Sequence, residues 1–236
     1  MEKKTYTAIV LAAGKGTRMG GDVHKQYLLL NGKPVLYYSL KALEDSRVDH
    51  IVLVTGESEI DYCQKEIIEK YGFQKVKKVV AGGAERYHSV FCGLQAAEGA
   101  DYVLVHDGAR PFVENAILER CMEAVEKYHA CVVGMPVKDT IKIVDEQGFA
   151  VNTPPRNLVW NVQTPQCFSY PLILDAYSKM IEEEKQGKQM SVTDDAMVLE
   201  TFSQHQVKLI EGSYENIKIT TPEDLLVAEI FCKQRQ

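Results

Sequence analysis

The sequence predicts an α/β fold, an open, doubly wound and mainly parallel sheet carrying a β-hairpin arm. Short apolar runs alternate with longer amphipathic stretches along most of the chain. The runs lack the polar alternation of half-exposed strands, as expected of strands buried on both faces. Their order, strand then helix, requires parallel pairing through right-handed crossovers.

In chain order, the run AIVL places a first strand at Thr7–Leu11 and leads into LAAGKGTRMG, residues 11–20. An amphipathic helix is expected at Pro34–Leu43, then a strand at His50–Val54 (IVLV) and a helix at Glu59–Tyr71. Next come a strand at Val76–Val80, a helix at Arg86–Ala97, a strand at Tyr102–His106 (YVLVH), a helix at Glu114–Tyr128 and a strand at Ala130–Met135 (ACVVGM). After Pro136 the rhythm changes. TIKIVDEQGFAVNT alternates apolar and polar residues around a DEQG turn and reads as a β-hairpin. An isolated hairpin is marginally stable, so this one needs a surface to pack on, such as a second subunit. Helices return at Ser169–Glu184, Asp194–Phe202 and Pro222–Phe231, with strands at Val207–Glu211 and around Ile217–Ile219. With no repeat, low-complexity tract or linker, residues 1–236 read as one domain, with an arm at 137–160.

A chain of 236 residues, 45% hydrophobic and 25% charged, suffices for one large α/β domain. The net charge of −6 argues against a nucleic-acid or general polyphosphate surface, so an anion site must be built from a few local cations. The apolar stretch in MEKKTYTAIVLAAG is too short for a membrane span or a signal peptide, and no membrane partner is expected. Six cysteines at irregular spacings, without a CxxC pair, read as reduced packing residues of a cytoplasmic protein. The histidines form no HxxxH or HExxH pattern, so no zinc site is expected.

Ligands of open α/β sheets sit beyond the carboxyl ends of the strands. That rule gathers residues 12–25, 81–89, 106–110 and 135–140 around one site. The opening loop matches no Walker A pattern. It also lacks the third glycine of a dinucleotide fingerprint, because Met19 stands one place before Gly20. It does offer bare backbone N–H groups at Ala12, Ala13, Gly14 and Gly16, with Arg18 able to fork two phosphate oxygens and Lys25 adding a point charge. Anion binding is the reading preferred over a plain βα turn.

The stretch LAAGKGTRMG…KQYLLLNGKPVLYYSL resembles the opening signature of sugar-nucleotide and related nucleotidyltransferases. GGAERYHSV, VHDGARPF, PVKDTIK, VQTPQCF, TDDAMVLE and ENIKITTPEDL follow in order. Together they resemble the 2-C-methyl-D-erythritol 4-phosphate cytidylyltransferase family of the non-mevalonate isoprenoid pathway, over about residues 7–230. The resemblance implies a Rossmann-like sheet of the nucleotide-diphospho-sugar transferase type. It also implies attack by a substrate phosphate oxygen on the α-phosphorus of CTP, with loss of pyrophosphate. Both reactants are anions, and like charges about 4 Å apart repel by roughly 4 kcal/mol at an effective dielectric near 20. Such a site needs fixed cations more than a base.

Arg18 and Lys25 are the catalytic candidates read from the loop, and the resemblance adds Lys218, which by itself would read as a solvated lysine. Asp107, closing a strand over the phosphate site, is a natural Mg²⁺ and substrate ligand. Glu215, in the position where an acidic residue precedes NIK in the family, is the second metal candidate. Gly82, Gly83 and Ser89 are expected at the base, although some family members carry an acidic residue where this chain has Ala84. Arg110, Thr140, Arg156 and Thr164 match positions assigned to the acceptor's phosphate, with Lys138 nearby. The family uses its arm to complete the neighbouring subunit's site, which implies a homodimer with Thr140 and Arg156 acting in trans.

Other features read as structural. Thr193 with Asp194 and Asp195 looks like a helix start rather than a metal pair. His106 falls on the opposite strand face from Asp107 and is expected to pack. Trp160 is expected in the core, and Cys131 is expected to be inert in a buried strand. Ribitol 5-phosphate as acceptor, a non-catalytic nucleotide-binding module and a nicotinamide enzyme remain as alternatives. If Arg18 and Lys25 act in the transition state, Arg18→Ala and Lys25→Ala will lower kcat by roughly 10²–10³-fold while changing CTP affinity far less. Equal losses in steady-state kinetics and equilibrium CTP binding would leave these residues a holding role only.

Overall fold

The computed structural model describes residues 3–14 and 24–235. A seven-stranded sheet runs through it. Its first half comprises β1 (Tyr6–Leu11), β4 (His50–Thr55), β5 (Val76–Ala81) and β6 (Tyr102–Asp107), each within a residue of its expected bounds. β1 pairs in parallel with both β4 and β6, and β4 pairs in parallel with β5. The second half comprises β7 (Ala130–Pro136), β10 (Trp160–Ser169) and β11 (Lys208–Glu211). The order across the sheet is β11-β7-β10-β6-β1-β4-β5. Two short strands, β2 (Leu29–Leu30) and β3 (Lys33–Pro34), form a separate hairpin closed by Asn31 and Gly32, both at positive φ as an Asn-Gly turn requires.

Alternation along the strands feeds two cores. Ala8, Val10, Ile51, Leu53 and Leu104 face one layer, and Ile9, Val52, Val54, Val103 and Val105 face the other. Helices α1 (Val35–Glu44) and α4 (Asn115–Tyr128) cover the first face. The turn of helix α2 (Ile60–Tyr62) continues there as a π-helix over Cys63–Glu69, in place of the regular helix expected at 59–71. Helices α3 (Arg86–Ala96), α5 (Tyr170–Lys185) and α6 (Asp195–Phe202) cover the second. The last helix, α7 (Pro222–Gln234), packs with Leu30, Val35, Phe112 and Ile219 in a smaller cluster.

The hairpin forms as expected, from β8 (Ile143–Val144) and β9 (Ala150–Asn152), and Asp145 Oδ1 accepts the Gln147 and Phe149 amides in its turn. Its apolar side chains are exposed, Phe149 at 72% and Val151 at 62%, so nothing in the described chain covers them.

Three expectations are corrected. β10 is missing from the sequence-based element order because its polar residues and Pro165 disguise it; it runs antiparallel between β6 and β7, and its register shifts between Val162 and Gln166, where the proline sits. The strand expected around Ile217–Ile219 has no ladder: the Ile219 amide donates to the Ala109 carbonyl, and the Ile217 amide makes a local turn bond to the Glu215 carbonyl. Trp160, expected in the core, is half-buried at the start of β10. Cys131 is fully buried, and its thiol clusters with those of Cys121 and Cys167 within 4.8 Å. All six cysteines are free, and no described helix is long and apolar enough to cross a membrane.

Candidate active site

The chain winds from β1 outward to β4 and β5, then returns to β6 on the other side of β1. The carboxyl ends of β1 and β6 therefore flank the crevice where the strand order reverses. A recess of about 230 Å³ opens there, lined by Ala12, Ala13 and Gly14 after β1, by Gly83 and Ser89, and by Lys25, Arg86, Asp107 and Lys218. A second hollow of about 310 Å³ shares Arg86, Asp107 and Lys218 and adds Arg110, Gln163, Thr164, Gln166, Thr193 and Asp194. A wider depression of about 890 Å³ lies at the opposite strand ends, around Lys3, Tyr6 and Asp49, where its cations are spent on neighbours such as Asp49 and the Ser46 carbonyl.

Asp107 is the buried centre. Its carboxylate lies 2.9 Å from Lys218 Nζ, 3.5 Å from Arg110 Nε and 3.8 Å from Arg86 Nε. Burial alone would raise its pKa, but Lys218, Arg86 and Arg110 hold it well below the usual carboxylate range. Arg86 has no role in the sequence analysis. Both of its terminal nitrogens bind Asp195, each at 2.8 Å, and Asp195 is completely buried. Spacing gives no signal for this pair because 109 residues separate its members. The helix start is as expected in kind, but the cap is Asp194, which accepts the Met197 amide, rather than Thr193.

Strand β10 ties these loops to the sheet. Gln163 Nε2 donates to the Ser213 carbonyl, and fully buried Asn216 donates to Gln163 Oε1 and to the Thr164 carbonyl. Those bonds fix residues 213–216 and so aim Lys218 at Asp107. Gln166 accepts the Asp195 and Ala196 amides and donates to Asp194. Thr164 Oγ1 accepts the Asp107 amide at 3.0 Å, so its own proton goes to His106 Nδ1, also at 3.0 Å. His106 then carries its proton on Nε2 and donates to the Arg110 carbonyl at 3.3 Å. Burial pushes its pKa down to about 4, and the imidazole is a neutral packing group, as expected.

On the wall beyond β1, a Cβ on Gly82 would lie 2.6 Å from Ser89 Oγ and 2.7 Å from the Ala13 methyl, and one on Gly83 would lie 2.3 Å from the His88 Cβ. Only glycines let these turns close together. The Ser89 hydroxyl accepts the Gly83 amide and donates to the Glu85 carbonyl, so it shapes the turn from within. Lys25 is fixed through its neighbours. Gln26 Nε2 donates to the Ala12 carbonyl at 2.5 Å, while the Tyr27 hydroxyl and His24 both reach Glu59 beyond β4. Gly16 and Arg18 lie outside the described residues.

A family model for 2-C-methyl-D-erythritol 4-phosphate cytidylyltransferase (IspD) matches residues 6–234. The chain belongs to this family. A relative of that name from Lachnoclostridium phytofermentans is 50% identical over 236 residues, covering 100% of this chain and 99% of the relative. Another, from Clostridium kluyveri, is 49% identical over 231 residues, 98% of this chain and 97% of its own length. Among solved structures, the 4-diphosphocytidyl-2C-methyl-D-erythritol synthase of Anaerococcus prevotii superposes with a TM-score of 0.85 at 35% identity, over 98% of this chain and 96% of that one. The Rossmann-like α/β fold agrees with it.

Not every residue matched to the family meets at Asp107. Thr140 and Arg156 are exposed on the arm, where Arg156 donates to the Lys138 carbonyl, and neither lines these two hollows. Residues 135–140 accordingly stay away from the crevice, and 193–195 and 213–218 take their place. Arg110 and Thr164 lie beside Asp107 but direct donors inward, Arg110 to the Asn216 carbonyl at 2.8 Å and Thr164 to His106 Nδ1. Glu215 pairs with Arg235 at 2.7 Å and lines neither hollow, so the structure does not bring it to Asp107 as a second metal ligand.

Because the folded His106 binds its proton more weakly than the unfolded chain, stability is full above pH 6.5 and falls as the pH drops toward about 4. The span corresponds to at most about 3 kcal/mol. Urea denaturation of the metal-free protein across this window should show a shallower loss for His106→Gln. Parallel curves would mean that His106 is not the titrating group.

Proposed function

We propose that CTP lies with its triphosphate across the carboxyl ends of β1 and β6, and that Lys25, Lys218 and Arg18 carry the charge of the transferring group. The enzyme is a nucleotidyltransferase. It joins CTP and 2-C-methyl-D-erythritol 4-phosphate to give 4-diphosphocytidyl-2-C-methyl-D-erythritol and pyrophosphate, in isoprenoid precursor synthesis. The observation that carries the assignment of the site is the set of cations, Lys25, Arg86, Arg110 and Lys218, lining two hollows that share Asp107.

The acceptor's phosphate oxygen forms a bond to the α-phosphorus as the α–β phosphoanhydride bond breaks and pyrophosphate leaves. That oxygen is already ionised at neutral pH, so no base is needed. His106, with both nitrogens engaged, supplies none. Ala12, Ala13, Gly14 and Gly16 offer backbone to the phosphates, and the tight turn at Gly82, Gly83 and Ser89 receives the cytosine. The acceptor takes the second hollow, beside Arg110 and Thr164. Lys218 stands between the two hollows and faces both reactants.

A divalent ion fits this donor set through Asp107 alone. A carboxylate that stays ionised, shared with phosphate oxygens and water, matches Mg²⁺ habits, and Glu215 is turned away. When bound, Mg²⁺ would neutralise phosphate charge and orient the triphosphate. The exposed apolar arm supports a homodimer in which Thr140 and Arg156 of one copy clamp the acceptor phosphate of the other. Residues 1–236 then act as one catalytic domain with an arm, and reduced cysteines fit a cytoplasmic enzyme.

Pyrophosphate release with CTP and Mg²⁺ tests the acceptor. It should be fast with 2-C-methyl-D-erythritol 4-phosphate and at blank level with ribitol 5-phosphate. Release only with ribitol 5-phosphate would keep the mechanism and overturn the substrate. Arg156→Ala should raise the acceptor KM by roughly tenfold or more and leave the CTP KM unchanged; an unaltered acceptor KM would overturn the clamp in trans.

A further inference from the structure

Arg86 stands between two carboxylates and treats them unequally. Its terminal nitrogens pair with Asp195 at 2.8 Å each, and only its Nε edge turns to Asp107, at 3.8 Å. A guanidinium fork binds a carboxylate best through two parallel bonds, and Asp107 is the other carboxylate within its reach. Asp195 prevails because it is held in place beforehand. The Tyr177 hydroxyl donates to its Oδ1 at 2.5 Å, its backbone amide is fixed by Gln166, and it has no solvent exposure.

We propose that Asp195 is a positioning residue that withholds the Arg86 fork from Asp107, leaving the Asp107 oxygens to Lys218 and to a divalent ion arriving with the nucleotide. This rests on Asp107 as the metal-facing carboxylate. Three cations crowd Asp107, but Arg110 sends a terminal nitrogen to the Asn216 carbonyl and Arg86 sends two to Asp195. Only Lys218 makes a close contact, at 2.9 Å, and its single ammonium on a flexible stem can move to a phosphate. Without Asp195 the Arg86 fork would close on Asp107 and compete directly with the metal.

The test is Mn²⁺ binding to the full-length enzyme with CTP, read from the electron paramagnetic resonance signal of free Mn²⁺, with the melting temperature followed in parallel. Asp195→Asn should weaken Mn²⁺ binding by roughly tenfold, and the double variant Asp195→Asn/Arg86→Met should recover to within about twofold of the wild type. A purely structural role predicts no such recovery. Tyr177→Phe, a milder change, should weaken binding in the same direction by roughly two- to threefold if Asp195→Asn does not fold. Wild-type Mn²⁺ binding in Asp195→Asn, a double variant no better than the single one, or an unchanged Tyr177→Phe beside an unfolded Asp195→Asn would overturn the proposal. A wild-type enzyme that binds no Mn²⁺ with CTP would overturn the metal reading of Asp107, and this inference with it.

Discussion

A buried carboxylate must be paired, and most of this site follows from that constraint on Asp107. Removing a charge from water costs several kcal/mol, and a partner recovers it only at close range and in a fixed geometry. Lys218, Arg110 and Arg86 meet the requirement from three separate parts of the chain. The pairing keeps the carboxylate ionised and also gathers cations where the two hollows join. A site that brings phosphate to phosphate needs its positive charge in place beforehand, because reorganising it during the reaction would raise the barrier.

The antiparallel strand β10 makes the arrangement rigid. Inserted between β6 and β7, it presents Gln163, Thr164 and Gln166 beside the end of β6, and each secures a different segment. Gln163 with Asn216 secures the segment bearing Lys218, Thr164 secures the Asp107 amide, and Gln166 secures the start of α6 with Asp195. These side chains are spent on the protein itself, which explains why polar residues of the VQTPQ motif are buried instead of facing solvent.

The opposite wall is built differently. There the crevice is lined by backbone, and close packing at Gly82 and Gly83 takes the place of charged partners. Lys25 is positioned by neighbours on both sides, through Ala12 just after β1 and Glu59 beyond β4. The two walls thus combine a close-packed backbone surface with an ionic one around Asp107.

The sequence by itself determined the parallel strands β1, β4, β6 and β7, because apolar runs between amphipathic stretches have few other uses, and β5, whose run is broken by Lys77 and Lys78, through its place between two helices. It also determined the hairpin, whose alternation and turn residues are local signals, and the candidacy of Asp107, which closes a strand, and of Lys25, a cation on the connection that leaves β1. Lys218 was legible only through family resemblance, since a lysine on a short segment is ordinarily solvated. Only the tertiary structure decided what Asp107 touches, that Asp195 binds Arg86, that Glu215 turns to Arg235, and that a proline-containing polar stretch is a central strand. Local patterns reflect interactions among residues a few positions apart. A buried ion pair spanning 109 residues depends on how the whole sheet is ordered, and no local spacing encodes that.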